Sequence, residues 1–513
     1  MCKIKSFIQN FGIEIAVFLF FVLLHIPGLG RETFNTDVWK WKARTYDFGE
    51  GVFTLNFEKT IQKYHPGVTL MWIGTGAVKI YNLYYDLVFS HPPVNNDVST
   101  VFELHLVQKF CLVVFIALAL SFCIYVLKKE FGKRVALIFG ILASIEPFYY
   151  ALTRVFHLEG LMSILMLASF LWFYHYLQEK KFSRLVLSAL FASLAFLTKT
   201  SAIYLIPFML LQTFLHLKGQ FFKPFGIWLI LSILGFFLFW PAMWVMPGKA
   251  LSTIYRGIFT IGMERGHTQI YFGNITEDPG IFYYLVVFAL RSSIVLLVGL
   301  GGTFFSFKVA NKKEKKFLLY TLLFALFYTI QITIPSKKLD RYILPAILAL
   351  TLTASFFYAF LFSRLGKKKG LAILSVVMLF GIGTLGYLRQ DYFSYFNPLF
   401  GGLRTGVKVL EPKWIIGQHK IVEYFGKKAP TDSLIKIVAF PEKYYTQIWP
   451  FMEEAGHNPV IKDLTPHAKN AHYFLYPVWQ DESSQETRFD IEFADTIKLR
   501  GVPVWNVYKM AED

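Results

Sequence analysis

Residues 105–152 read HLVQKFCLVVFIALALSFCIYVLKKEFGKRVALIFGILASIEPFYYAL. Two apolar runs, each close to the roughly 20 residues that carry a helix across a bilayer, flank a short loop holding Lys128, Lys129, Lys133 and Arg134. The first run also contains Cys111 and Cys123, without partners at metal-binding or redox spacing. Apolar runs broken by basic loops are the pattern of a chain threaded through a membrane, with the basic loop on the cytoplasmic side.

The pattern repeats outward in both directions. Eleven candidate spans run near 11–29, 105–127, 135–152, 158–177, 185–199, 201–217, 225–245, 281–306, 317–335, 342–363 and 371–388. Lys199 to Ser201 barely separates the fifth from the sixth, which predicts a tight hairpin. The first run is too long for a cleaved signal peptide and lacks a small-residue cleavage site, so it is expected to be retained. Basic residues mark alternate loops: Lys3 and Lys5, the loop quoted above, Lys180 to Arg184, Lys218 and Lys223, Lys308 to Lys316, and Arg364 to Lys369. All six fall on one side of an eleven-span chain, which predicts a cytoplasmic N-terminus and an outer C-terminus in a cell membrane. The bulk numbers agree. Of 513 residues, 55% are hydrophobic and only 17% charged, against about 25% charged in soluble proteins. The net charge of +18 resides largely in the loops; it reads as topology, and nucleic acid is not expected. Three cysteines, Cys2 included, offer no disulfide framework.

Three outer segments have the length to do chemistry: 30–104, 246–280 and the tail from about 389. Within the first, Val68 to Leu87 is nearly apolar enough to span, but a span there would invert every later loop; an interfacial or re-entrant helix is expected, with Tyr81, Tyr84 and Tyr85 at the membrane surface. The tail turns polar near Pro412. SLIKIVAF (433–440) and HYFLY (472–476) read as buried strands, with a helix over YYTQIWPFMEEAG (444–456) between them. Strands around Thr496–Leu499 and Val502–Tyr508 flank Gly501. The expected architecture is an α-helical multi-spanning domain over 1–410 and a small extracytoplasmic α/β domain over 411–513. No internal repeat or low-complexity segment is present.

Ionisable residues at span ends are costly if they meet lipid, which makes them informative. The first outer segment opens FNTDVWKWKARTYDF (34–48), placing Asp37 just beyond the first span; it is a candidate acid for a head group at the membrane surface, or the cap of a helix beginning there. KYHPGV (63–68) holds His65 at a Pro-Gly turn, where a backbone partner would equally explain it. TRVFHLEG (153–160) gathers Arg154, His157 and Glu159 and predicts a polar cavity rather than a snorkelling Arg with a capping acid. The second outer segment contributes Arg265, His267 and Asp278 in ERGHTQIYFGNITEDPG (264–280). SKKLDRYILP (336–345) puts Lys337, Lys338, Asp340 and Arg341 outside, against the inside rule. Cations there call for an anionic ligand: a phosphate, gripped by Arg and Lys, or lipid head groups.

Taken in order, these pieces resemble the polyprenol-phosphate-dependent glycosyltransferases of the GT-C fold, more narrowly the prokaryotic relatives of the protein O-mannosyltransferases and the lipid A aminoarabinose transferase. The matching elements are Asp37, then Trp41 and Arg44, HPGVTLMW (65–72), TRVFHLEG, LTK (197–199), GHTQIYFG (266–273) with DPGIFYY (278–284), LDRYILP (339–345) and YFSYFNPLFGG (392–402). Three departures stand out. Val38 follows Asp37 where the family usually has a second acid, Glu159 stands where Asp is commoner, and Lys413-Trp-Ile-Ile-Gly replaces a Gly-Trp-Gly-Glu-Gly element.

The resemblance implies transfer of a sugar from a polyprenyl-phosphate donor to an acceptor hydroxyl of a protein, lipid or glycan on the outer face, with inversion. Asp37 would be the general base. Lys338 and Arg341, with Lys199, would stabilise the departing phosphate; Arg44, His65, His157, Glu159 and His267 would line the sugar or the acceptor. Metal dependence is not implied, since no His and carboxylate set stands at metal spacing, although Asp37 with Glu159 could hold a divalent cation. A lipid-sugar flippase would instead favour repeated halves and mid-span charges; here only Glu14 and Arg291 lie mid-span, where neighbours could pair with them. A catalytically inactive lipid-sugar-binding subunit is the third reading, which the missing second acid permits.

Overall fold

The structure, a computed structural model, describes residues 2–32, 34–93, 98–217, 219, 222–262, 266–428, 437–457, 460–480 and 489–510. Lys218, Arg265 and the segment 433–436 lie outside the described residues. The chain is mostly helical, in the order α1 (Cys2–His25), α2 (Thr36–Phe53), α3 (Val68–Phe89), α4 (Val98–Phe131), α5 (Lys133–Ile145), α6 (Pro147–Thr153), α7 (Leu158–Glu179), α8 (Phe182–Thr198), α9 (Leu205–Leu217), α10 (Phe222–Phe239), α11 (Ala242–Val245) and α12 (Pro247–Arg256). After a small β-hairpin come α13 (Tyr283–Arg291), α14 (Ile294–Val309), α15 (Lys312–Thr333), α16 (Leu344–Tyr387) and α17 (Gly402–Val409).

Among the described residues six helices are long and apolar enough to cross a membrane, or up to eight if each of two bent pairs forms one span. Two further apolar helices are shorter, Asn10–His25 and Phe182–Thr198. The two runs read as 342–363 and 371–388 form α16, interrupted at Gly366, whose φ of 78° and ψ of 169° no helix contains. The run read as one span over 281–306 is α13 and α14, meeting at a 109° bend. No proline forces that bend; polar partners hold it. Glu146 accepts from Ser293 N–H (2.9 Å) and Ser293 Oγ (2.5 Å), and Asn397 Nδ2 donates to the Ser292 carbonyl at 2.7 Å. Glu146 itself sits at the 71° bend between α5 and α6, where Pro147 forbids helical continuation through the residue before it. Two broken helices therefore share one carboxylate.

α7 forms the centre, with 94% of its apolar window buried, whereas α10 has 11% buried and shows its apolar surface outward. The mid-span ions are paired: Glu14 with Lys128, and Arg291 with Asp340 at 2.9 Å. Arg154 binds Glu32 and the Pro27 carbonyl and does not line the polar cavity that holds His157 and Glu159. α8 stops at Thr198; Lys199 is extended (φ −154°, ψ 141°), and a 3₁₀ turn over Thr200–Tyr204 leads into α9. Val68–Phe89 is helical and is not among the helices apolar enough to cross; Ile80, Leu83, Leu87 and Val88 are exposed.

Beyond α17 the tail carries α18 (Gln418–Lys428) and α19 (Glu442–Glu454) with a five-stranded sheet. The hairpin before α13 supplies β1 (Gln269–Tyr271) and β2 (Asn274–Thr276); the sheet is built from β3 (Val438–Phe440), β4 (Val460–Lys462), β5 (Tyr473–Pro477), β6 (Ile491–Leu499) and β7 (Val502–Met510) in the order β4-β3-β5-β7-β6. β3 pairs parallel with β4 and β5, and β7 pairs antiparallel with β5 and β6. Arg500 and Gly501, both with positive φ, make the β6–β7 turn whose twist suits a two-residue hairpin. The tail packs on α2 through α19: Trp39 Nε1 donates to the Thr446 carbonyl at 2.7 Å, and the Trp39 and Trp449 rings stack 5.6 Å apart.

Candidate active site

α2 begins at Asn35, whose side chain accepts from Val38 N–H at 2.9 Å. The capping position is thus filled by Asn35, and Asp37, in the first turn, points its carboxylate elsewhere. Its Oδ2 accepts from Arg341 Nη2 at 3.1 Å and lies 3.5 Å from His157 Nε2. His157 Nδ1 bonds Glu159, which also accepts from Lys199 Nζ (2.8 Å) and Arg341 Nε (3.3 Å). Glu159 opens α7, where the helix dipole favours an acid. Residues from α2, the α6–α7 junction, the α8–α9 junction and the start of α16 thus close one ionic ring. Aromatic faces back its cations: Lys199 lies 3.7 Å from the Tyr342 ring centre and Arg341 5.0 Å from that of Trp414.

The ring lies in a cavity of roughly 460 Å³. Burial works to raise the Asp37 carboxyl, yet the hydrogen bond from His157 and the Arg341 charge outweigh it and hold the group well below the carboxylate range. Burial works against a charged His157, and Glu159 and Asp37 on its two sides overcome that and raise it. With Nδ1 on Glu159 and Nε2 3.5 Å from Asp37, His157 faces a carboxylate on each side, which favours its charged form and leaves no free nitrogen to take a proton. Burial and neighbouring lysines lower both His65 and His267, the latter to about 4, so these two rings are neutral at pH 7. Asp37 Oδ1 makes no hydrogen bond among the described residues and is the available basic atom.

Asp37, Arg44, His65, His157, Glu159, Lys199, His267 and Arg341 all line this cavity. Lys338 does not: its buried Nζ pairs with Asp278 at 2.6 Å, and its carbonyl accepts from Gln269. The neighbouring Lys337 faces the cavity instead. Sequence reasoning did not single out Lys40, Tyr64, Tyr342, Glu411, Lys443 or Gln447, which also line it. Lys40 had a signal, lying three residues after Asp37 on one helix face. Glu411 accepts from Ile270 N–H (2.9 Å) and Lys413 (3.2 Å) and pairs with Lys443 of α19. Lys413 and Trp414, from the altered Lys-Trp-Ile-Ile-Gly stretch, form part of the wall. Gly67 follows from packing: its φ is 62°, and a Cβ there would lie 2.0 Å from the Trp41 ring. Among the described residues no group of three His, Cys or carboxylate side chains could hold a metal. Between Asp37 and Glu159, where a divalent ion would sit, stand Arg341 and His157.

A second, apolar groove of roughly 860 Å³ runs between α13, α15 and α16, lined by Tyr284, Leu323, Ile334 and Ile343 among others. Ile334 and Ile343 bracket in sequence the segment from Lys337 to Tyr342 that walls the polar cavity.

Residues 98–244, from α4 to α11, match the family model described as dolichyl-phosphate-mannose-protein mannosyltransferase. The fold is similar to that of ArnT from Cupriavidus metallidurans in the apo state, with a TM-score of 0.51 and 11% identity over 99% of this chain and 98% of that one. Weaker similarity extends to the same ArnT bound to undecaprenyl phosphate (TM-score 0.48, 12% identity, 98% of each chain). It extends also to the archaeal oligosaccharyltransferase AglB from Archaeoglobus fulgidus in complex with an inhibitory peptide and a dolichol-phosphate (TM-score 0.46, 11% identity, 96% of this chain, 74% of that). No curated protein matches the chain. In sequence over 98–244 and in fold over nearly its whole length, the chain resembles the polyprenyl-phosphate-dependent glycosyltransferases of the GT-C fold.

Proposed function

We propose that the protein moves a sugar from a polyprenyl-phosphate donor to an acceptor hydroxyl on the outer face of the membrane, inverting the anomeric centre. The observation that carries this reading is an ionised Asp37, fixed through one oxygen by Arg341, in a cation-lined cavity beside an apolar groove. The groove suits the polyprenyl chain. Its position brings the donor phosphate to Lys337, Arg341 and Lys199, and the sugar into the cavity.

The acceptor oxygen attacks the anomeric carbon from the side opposite the phosphate. Its proton passes to Asp37 Oδ1 as the carbon–oxygen bond forms. The bond between the anomeric carbon and the phosphate oxygen breaks, and polyprenyl phosphate departs with the electron pair. Lys337, Arg341 and Lys199 meet the charge that develops on the leaving group. Asp37 is a weak base, so it takes the proton late, once bond formation has made the hydroxyl acidic. A single displacement gives inversion. The membrane-spanning part, 1–410, would hold the chemistry, and the tail, 411–513, would stand outside the cytoplasm over the cavity.

The test is donor cleavage by purified protein offered a panel of polyprenyl-phosphate sugars, with released polyprenyl phosphate and the anomeric configuration of the product as readouts. Cleavage by wild type, lost in Asp37→Asn, with an inverted product, supports the reading. A retained configuration removes the single displacement. Tight lipid binding with no cleavage of any donor moves the protein to a flippase or an inactive subunit.

A further inference from the structure

The cavity carries more positive charge than a lipid-phosphate donor can use. Eight Lys and Arg side chains line it, against the carboxylates of Asp37, Glu159 and Glu411. The donor is a phosphodiester with one negative charge, and the departing phosphomonoester carries at most about two. Roughly three positive charges remain on Lys and Arg alone, before any on His157 is counted. They are not spread evenly. Lys199 and Arg341 share the carboxylate of Glu159. Lys413 and Lys443 share the single buried carboxylate of Glu411 at the tail side, and Lys40 has no ion-pair partner among the described residues. Glu411 meets Lys443 through Oε1 and Lys413 through Oε2, one negative charge against two ammonium groups. Lys40 and Lys443 are exposed and Lys413 is nearly buried, so an anion entering the cavity meets three ammonium groups with one carboxylate among them.

We infer that the acceptor carries an anionic group of its own, a carboxylate or phosphate, received by Lys40, Lys413 and Lys443 beneath the tail helix α19. The inference rests on the glycosyltransferase reading. It makes Lys443, contributed by the tail, a specificity-determining residue: it binds the acceptor's charge without touching the reacting atoms. A neutral hydroxyl acceptor would leave the tail side of the cavity as repulsive as it is when empty.

Binding is read from the fluorescence of Trp41 and Trp414, which line the cavity, in detergent-purified protein saturated with undecaprenyl phosphate. The probes are methyl galacturonide and methyl galactoside, which differ only by a carboxylate, and their dodecyl counterparts. Wild type is expected to bind a uronide at least tenfold more tightly than its galactoside. That preference should fall several-fold in Lys443→Gln and vanish in Lys40→Gln/Lys443→Gln. A preference confined to the dodecyl pair identifies a lipid-borne acceptor; one shown equally by the methyl pair identifies a free glycan. Equal binding of uronide and galactoside, no binding of any probe, or an undiminished preference in the double variant overturns the inference. So does loss of uronide binding on saturation with undecaprenyl phosphate, since the cavity then has one anion subsite. Failure of wild type to bind undecaprenyl phosphate instead counts against the glycosyltransferase reading, and the uronide preference is then still read without the lipid.

Discussion

Asn35 and Asp37 divide two tasks that their sequence leaves undivided. Asn-Thr-Asp before an aromatic run permits either residue to cap α2, and only the hydrogen bond to Val38 N–H assigns that task to Asn35. Substitutions should separate them. Asn35→Ala should cost about 1 kcal/mol of stability through the lost cap. Asp37→Asn should lower turnover by about 10²–10⁴-fold, and should also lower the thermal midpoint in detergent, because it removes the charge that Arg341 and His157 face. Equal losses of turnover in the two variants would sink that division. The ring also fixes a pH dependence. The carboxyl of Asp37 is depressed from its ordinary 3.8, so its contribution to stability is present above that pH and is lost as pH falls through the folded value. The imidazole of His157 is raised from 6.5, so its contribution is full below that pH and is lost as pH rises through the folded value. The ring is tightest between the two, and wild type should lose thermal stability on the alkaline side relative to His157→Asn. Parallel alkaline limbs would show that His157 is not charged. Lys338 marks where the sequence misleads: neighbours in extended chain face opposite ways, so composition names the pair Lys337-Lys338 but not which member meets the ligand.

At the level of elements, apolar runs located the long apolar helices and Gly501 the last hairpin, while the amphipathic α12, α17 and α18 had no such run to show them. The α13–α14 break was hidden because its causes are distant. Ser292 and Ser293 are unremarkable in an apolar run; Glu146 and Asn397, far away in sequence, hold the chain open there. Glu146→Ala should leave Ser293 N–H and Oγ without their partner and cost about 1–3 kcal/mol, read as a lower melting temperature in detergent, whereas Glu146→Gln should recover part of it. The turn before α3 is set by contact as well as by propensity. Gly67→Ala would force a Cβ into Trp41, which walls the cavity, so it should lower both stability and activity, and a silent substitution would mean the turn is laxer than described.

For the whole molecule, the charge pattern legible in the loops predicts which side each segment occupies. In a background without Cys2, Cys111 and Cys123, a cysteine at Lys368 should react with a membrane-impermeant maleimide only after cells are opened. One at Lys427 should react in intact cells with any outer wall permeabilised; the reverse order would invert the topology. What the sequence could not convey is how the tail meets the membrane domain, because the Trp39–Trp449 stack and the Arg31–Glu454 pair join residues 410 and 423 positions apart with no shared motif. The walls of one cavity thus come from Thr36 at one end of the chain and Gln447 at the other. During synthesis, every apolar helix has left the ribosome before the lid of that cavity exists. A chain that stops before α19 can therefore hold every apolar helix and still lack a closed cavity.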